Sequence, residues 1–490
     1  MRTLVITALL GMLWGCESKP EKEARLVETY CGNCHLAPKP NLLSRALWAE
    51  SVLPRMGARL GLNADLFIQD VPGADLTTAL NLLPSKPTVT SEEWDIIRNY
   101  YLRNAPEVLP AAAPIALDTT LQLFAPERVR VKNNHIPAST FVHIQNSKVA
   151  FGFSEFYEWH AGTTVSFGKL PTPPAAIAEL NNGVSLLALV GTINPTDEPL
   201  GSVWRKEPSG SWAPWIENLK RPVDLQVADL LGNGSEHMVL CEFGNLTGGL
   251  SIWEVSQDGP RQPKQISALP GARKTIVTDA DADGIPDILA LFAQGDEQII
   301  FFKGDGKLGF SPSVWLRFPP VYGSSFFEFE DVDGNGFRDL VVAHGDNADH
   351  TVTRKPYHGI RIYSNNGKNQ FTETYFYPLP GASQTATADF DGDGDQDIAA
   401  ITFFPDFSEQ SSRSFVLLTN QQQGWRAATS SYAGWGRWLV MDAGDLDDDS
   451  DIDLVLGALD FNGGASQELF SAWVAEQTPL LILRNNLKNK

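Results

Sequence analysis

Residues 279–291 read Asp279-Ala280-Asp281-Ala282-Asp283-Gly284-Ile285-Pro286-Asp287-Ile288-Leu289-Ala290-Leu291. Carboxylates at alternate positions, a glycine and one further carboxylate lead straight into an apolar run suited to a strand. The pattern recurs as Asp331-x-Asp333-x-Asn335-Gly336-x-x-Asp339, Asp389-x-Asp391-x-Asp393-Gly394-x-x-Asp397 and Asp445-x-Asp447-x-Asp449-x-x-x-Asp453, with first residues 52, 58 and 56 apart. Self-similarity at a fixed period of this size marks a repeat architecture. Hard oxygen ligands spaced in this way form a cage suited to Ca²⁺, whereas Mg²⁺ prefers fewer protein ligands and more water. An EF-hand opens similarly, but it needs a glutamate at its twelfth position and flanking helices, and neither is present here.

These repeats resemble the FG-GAP or VCBS family. Over residues 118–490 the resemblance implies a β-propeller of four-stranded blades with about four bound Ca²⁺ ions. Two degenerate copies extend it backwards: Asp229-Leu230-Leu231-Gly232-Asn233-Gly234, which keeps the glycines but has lost carboxylates, and the weaker Glu179-Leu180-Asn181-Asn182-Gly183. Thr140 to Ile144 fits one more innermost strand, so the expected count is seven blades. The last blade runs out of chain: after Leu480 to Arg484 only six residues remain, too few for a fourth strand. An open edge would expose unpaired backbone groups, so Thr120 to Val131 is expected to pair with Leu480 to Arg484 and close the ring.

The repeats also account for the charge. The formal net charge is −21, which argues against nucleic acid as a partner. Four Ca²⁺ ions would bring it to −13, so most of the acidity reads as a cation requirement rather than a signal for a basic partner.

At the N-terminus, Arg2 precedes the apolar run Leu4 to Trp14, which meets Gly15-Cys16. This is the form of a secretory signal, too short to span a bilayer permanently. The junction resembles the bacterial lipobox, which implies lipid on Cys16 and a location at the periplasmic face of a membrane or at the cell surface. Residues 1–15 are then the signal and 16–23 a polar tether.

Tyr30-Cys31-Gly32-Asn33-Cys34-His35 holds C-x-x-C-H, the motif of c-type haem attachment. Two thiols one helical turn apart can reach the two vinyl groups of one porphyrin, and the adjacent histidine falls under the iron. A zinc site would need a second ligand pair, yet residues 36–110 contain no Cys and no His. By elimination Met56 is the sixth ligand, as the only methionine of this region. Thr90 and Glu93 form a capping-box pattern. Trp94, Ile97, Tyr100 and Tyr101 follow at helical spacing, which resembles the last helix of small c-type cytochromes. Pro106, Pro110 and Pro114 among alanines then read as an extended linker. Cys241 lies in an apolar run and reads as a buried, inert thiol.

The expected fold is multidomain: a small all-α cytochrome c domain (24–104), a linker (105–117) and an all-β seven-bladed propeller (118–490). The leading functional expectation is an extracytoplasmic electron-transfer protein with one haem c, whose propeller docks a redox partner protein or a substrate-bearing surface. The alternatives are a haem-linked dehydrogenase and a glycan-binding or adhesion protein, with a glycan or small molecule on the propeller face. Such a site would draw on Arg221, Arg273, Lys274, Tyr322, Ser383, Trp435 and Arg437, where one blade leads into the next. No catalytic triad is legible.

Overall fold

Each acidic loop joins the first strand of an antiparallel sheet to its second. The protein, seen in a computed structural model, is described at residues 18–487 except 70, 112–115, 132–135, 257–258, 348–353, 406, 408–412 and 422–423. The expected signal segment and the lipidation site Cys16 lie outside these residues, as does the middle of the linker. Seven sheets follow one another along the chain. Their innermost strands, Phe141–Gln145, Pro174–Glu179, Pro222–Ala228, Ala272–Thr278, Ser324–Glu330, Ala382–Ala388 and Trp438–Gly444, number blades 1 to 7. These strands adjoin in order, and the blade 7 strand adjoins that of blade 1, so the sheets form a closed seven-bladed β-propeller.

The second strands carry continuous apolar runs rather than alternation, because they are covered on both faces. Asp287–Phe292, Asp397–Thr402 and Asp453–Ala458 are buried at every position. Seven hydrophobic clusters fill the seven gaps between neighbouring blades. Polar side chains of the innermost strands add a belt around the axis. Asp224 accepts from the Thr275 N–H and hydroxyl at 2.8 Å each, Glu328 accepts from Thr387, and Asp442 accepts from the Ile144 N–H at 2.7 Å. Gln384 both accepts from the Met441 N–H and donates to the Met441 carbonyl.

The ring closes as the sequence suggested. Phe124–Val129 pairs antiparallel with Leu480–Asn485, from Phe124 opposite Asn485 to Val129 opposite Leu480, and forms the outer strand of blade 7. Arg128 and Arg130 both reach Glu476 across this seam, and Arg128 lies 3.8 Å over the Trp435 ring. Two details differ from expectation. Leu117–Asp118, where the expected linker meets the expected propeller, pairs parallel with Arg426–Ala428 as a fifth strand of blade 6, so the chain joins the propeller there before crossing to blade 7. A helix, Gln467–Glu476, also fills the connection between the second and third strands of blade 7.

The N-terminal segment is helical: α1 (Lys19–Cys31), α2 (Arg45–Leu47), a π turn (Trp48–Val52) that runs on into α3 (Leu53–Arg59), then α4 (Asp65–Gln69), α5 (Leu76–Leu82) and α6 (Ser91–Asn104). The expected polar tether is, from Lys19 on, the opening of α1, capped by Ser18 and Glu21. Glu23 of that stretch is buried and pairs with Arg103 at 2.6 Å, which ties α1 to α6. The Thr90–Glu93 capping box is present at the start of α6. Leu26, Leu43, Trp48, Leu53, Ile97 and Tyr101 form the core of this module.

The module docks on the propeller face opposite the acidic loops. Val321, Tyr322 and Tyr357 pack into its core, and the Tyr357 hydroxyl donates to the Leu42 carbonyl at 2.9 Å. Asp75, 1% exposed, accepts from the Thr196 hydroxyl at 2.9 Å, the Asp197 N–H at 2.7 Å and the Asn245 amide at 2.9 Å. Leu246 adds an apolar contact beside Ala58, Phe67 and Ala79. Replacing Asp75 by alanine strands three donors at this interface, at a cost of about 1–3 kcal/mol. Limited proteolysis of Asp75→Ala should release the helical module faster than from the parent protein while the propeller stays intact. An unchanged cleavage pattern would mean that Asp75 does not hold the two together.

Candidate functional site

Three of the acidic loops fold by one local rule, and in the blade 6 loop Asp389 accepts instead from the N–H groups of Gly392 and Gly394, three and five residues on. In the three, the first carboxylate accepts from the backbone N–H groups four and five residues on: Asp279 from Asp283 and Gly284, Asp331 from Asn335 and Gly336, Asp445 from Asp449 and Ser450. The sixth position needs positive φ, met by Gly284, Gly336 and Gly394 at +84°, +88° and +97°, and by Ser450 at +70° in the fourth copy. Asp229 in blade 3 still gathers Leu231, Asn233 and Gly234 in this way, although that loop has lost most of its acids. The first position therefore shapes the turn even where no cage is left.

The ninth position does something else. Asp287, Asp339, Asp397 and Asp453 are fully buried or nearly so, and each clamps its blade. One oxygen accepts from the second residue of its own loop, as in Ala280 N–H to Asp287 at 3.0 Å and Val332 N–H to Asp339 at 3.1 Å. The other accepts from the third strand: from Gly304 at 2.8 Å, Asn365 at 2.8 Å, Asn420 at 2.9 Å and Asn485 at 2.7 Å. Burial pushes these carboxyls up, Asp339 to about 6 and Asp397 to about 7. The same loops are tied to the next blade: Asn369 donates to Ala280 O, Asn420 to Val332 O and Asn485 to Phe390 O.

Among the described residues, the clamp carboxylate converges with two other acids in three of these loops, and in the fourth three loop acids converge without Asp453. Ligand oxygens lie within 4.8 Å of one another in four groups: Asp279, Asp281 and Asp287; Asp331, Asp333 and Asp339; Asp389, Asp391 and Asp397; Asp445, Asp447 and Asp449. Such groups could hold Ca²⁺. Asp283, Asn335 and Asp393 instead accept from the N–H two residues on, which stiffens the turn.

Cys31 ends α1 with its thiol against the module core, and burial pushes it up to about 11. Cys34 is exposed, and neither cysteine is in a disulfide. The half-buried His35 ring has Nδ1 3.1 Å from the Leu36 carbonyl. With Nδ1–H donating there, Nε2 carries the lone pair that a metal would take. Met56 lies within α3, half-exposed and outside the module's apolar clusters. Cys241 is fully buried, and burial raises its thiol.

The candidate face residues have mostly structural partners. Arg221 donates to the carbonyls of Thr192, Ile193 and Gly244. Arg437 is 1% exposed, donates to those of Phe403, Phe461 and Gly463, and lies over four phenylalanine rings. Lys274 pairs with Asp224 at 3.3 Å, Ser383 donates to Ile401 O, and Tyr322 stacks on Tyr357 under the helical module. Trp435 is capped by Arg128 at the seam. Arg273 lies near Arg221, Asp224 and Asp346.

Residues 279–342 and 331–400 match the FG-GAP-like repeat. No curated protein matches the chain. Among solved structures, a complex of S. cerevisiae Dbp5 with Nup159, Gle1, IP6 and ADP is similar at TM-score 0.44 and 9% identity, covering 76% of this chain and 97% of that one. The N-terminal domain of Nup159 matches at the same score and identity, covering 76% and 99%. At that score the two carry no argument.

Asparagine at a clamp position keeps the shape but turns one acceptor oxygen into a donor facing an N–H. Asp397→Asn should therefore lose about 1–3 kcal/mol of stability, measured by urea unfolding with chelator present so that no cation contributes. An unaltered midpoint would show that the clamp is dispensable.

Proposed function

We propose that the protein, whose seven-bladed propeller carries FG-GAP-like repeats, is an extracytoplasmic electron-transfer protein, lipid-anchored through Cys16, with one covalent haem c on Cys31, Cys34 and His35. The observation that carries this reading is C-x-x-C-H at the end of α1, with both thiols free of disulfides and the Nδ1 of His35 already engaged by a backbone carbonyl. Haem, when bound, supplies a one-electron couple. Cys31 and Cys34 would fix its two vinyl edges, His35 would offer Nε2, and Met56 would offer a thioether from α3. Trp48, Ile97 and Tyr101 exclude water behind Cys31. With His35 and Met56 both donating to the iron, no position would be left for substrate, which would suit electron transfer to a partner protein.

In this reading the propeller is a calcium-stabilised platform. Its four acidic loops crowd like charges that a divalent cation would relieve, and each site adds about 2.7 kcal/mol when the free ion stands at a hundred times its dissociation constant. A haem-linked dehydrogenase is favoured by one feature, a cavity of about 180 Å³ lined by Gln294, Glu297, Asp346 and Lys355. Val321 belongs both to this cavity and to the module core. Reduction of the purified protein by sugars or alcohols would favour the dehydrogenase, and no reduction the carrier.

Two measurements test the platform and the ligand set. Chelator should lower the melting temperature of the propeller by several degrees and leave visible absorption unchanged; no shift would mean that the loops bind no cation in the folded protein. Met56→Ala should lower the midpoint potential and abolish the weak charge-transfer band of methionine-ligated ferric haem. An unchanged band and potential would place the sixth ligand elsewhere.

A further inference from the structure

The four acidic loops are alike in sequence but not in what stands beside them. The clamp bonds set their equivalence: Gly304, Asn365, Asn420 and Asn485 each donate to the ninth-position aspartate of their blade. The residues just before them are therefore counterparts, one per blade: Lys303, Ser364, Thr419 and Arg484. Two are permanent cations and two are neutral hydroxyls.

The two cations lie against the cages. The Lys303 ammonium pairs with Asp281 and, at 2.6 Å, with Asp283. The Arg484 guanidinium pairs with Asp447 at 2.8 Å and stands 3.8 Å from Asp453. Ser364 instead shares a hydrogen bond with Thr374 on the neighbouring strand, away from its loop. In blade 6, one oxygen of Asp391 and one of Asp395 are shut off from solvent with no hydrogen-bond partner, as is one of Asp281 in blade 4, so it is the cations that separate the two pairs of loops. Among the described residues, the blade 6 loop gathers acids without any internal counter-charge.

We propose that the cages of blades 4 and 7 carry their counter-ion within the chain, as Lys303 and Arg484, and that tight calcium binding belongs to the cages of blades 5 and 6. This rests on the calcium reading above and divides its four sites into two classes. A calcium ion entering blade 4 must displace an ammonium held by Asp281 and Asp283, or share the two carboxylates with it. Among the described residues, no lysine or arginine pairs with the cages of blades 5 and 6 and has to leave. Charge repulsion at this range, in partly exposed surroundings, weakens binding by about tenfold or more. The arrangement would keep the seam blade, which Arg484 joins to Glu127 of the closing strand, intact when calcium is scarce.

The test is calorimetric titration of the chelator-stripped full-length protein with CaCl₂. Two tight sites and two at least tenfold weaker are expected. Lys303→Met should raise the tight count to three, and Thr419→Lys, which places a cation beside the blade 6 cage, should lower it to one. Four equivalent sites in the parent protein, or a tight count unmoved by either substitution, would overturn this division and leave the calcium reading standing. No heat of binding in any of the three proteins would overturn the calcium reading itself.

Discussion

The propeller depends on a buried carboxylate that joins each acidic turn to the third strand of its blade. In blades 4 to 7 the ninth-position aspartate accepts from its own loop with one oxygen and from the third strand with the other. The clamp fixes where the acidic turn ends and how it sits over the sheet. An ionised carboxylate at 0% exposure is costly unless hydrogen bonds and opposite charge offset the loss of water. The two N–H groups supply part of that offset. Whatever cation occupies the cage above, a metal ion or a side chain of the same chain, supplies more. The crowding that makes these loops look like cation sites is thus a consequence of the element that holds the blade together.

From the clamp outward the structure is strongly coupled. The carbonyl of the second loop residue, whose N–H the clamp holds, receives an asparagine of the next blade at Ala280, Val332 and Phe390. Apolar clusters fill every inter-blade gap, so a disturbance in one loop reaches its neighbour through both polar and apolar contacts. The N-terminal helices use the opposite face. That face is occupied by a docked module over part of its area, and most of the side chains that looked free to bind a ligand there hold carbonyls or rings in place. Arg437, enclosed by Phe403, Phe404, Phe407 and Phe461, is the clearest case.

Much of this was legible in the sequence, for reasons of locality. The acidic turns, the apolar second strands and the capping box of α6 are each decided within about ten residues, by hydrogen bonds or periodicity that short patterns encode. The closing strand was legible by counting, since blade 7 had three strands and Thr120 to Val131 had no sheet. What was not legible depends on partners distant in the chain. Glu23 looked like part of a solvated tether because nothing nearby in sequence announces Arg103. No short pattern marks Asp75, which is buried against Thr196, Asp197 and Asn245. Leu117–Asp118, at the expected junction of linker and propeller, did not read as a strand because two residues cannot show a strand period; the edge of blade 6 makes them one. The different roles of the acids within one loop were hidden for the same reason: a ninth-position ligand and a clamp are the same residue type at the same spacing.

The central proposal is that a covalent haem sits on the helices docked against this propeller. Its most direct test is the intact mass of the mature protein, expressed with its own export signal and denatured to strip anything held non-covalently. One haem per chain should remain, and the double substitution Cys31→Ala/Cys34→Ala should remove it. A mature chain without that added mass, or a zinc ion recovered in its place, would contradict the account.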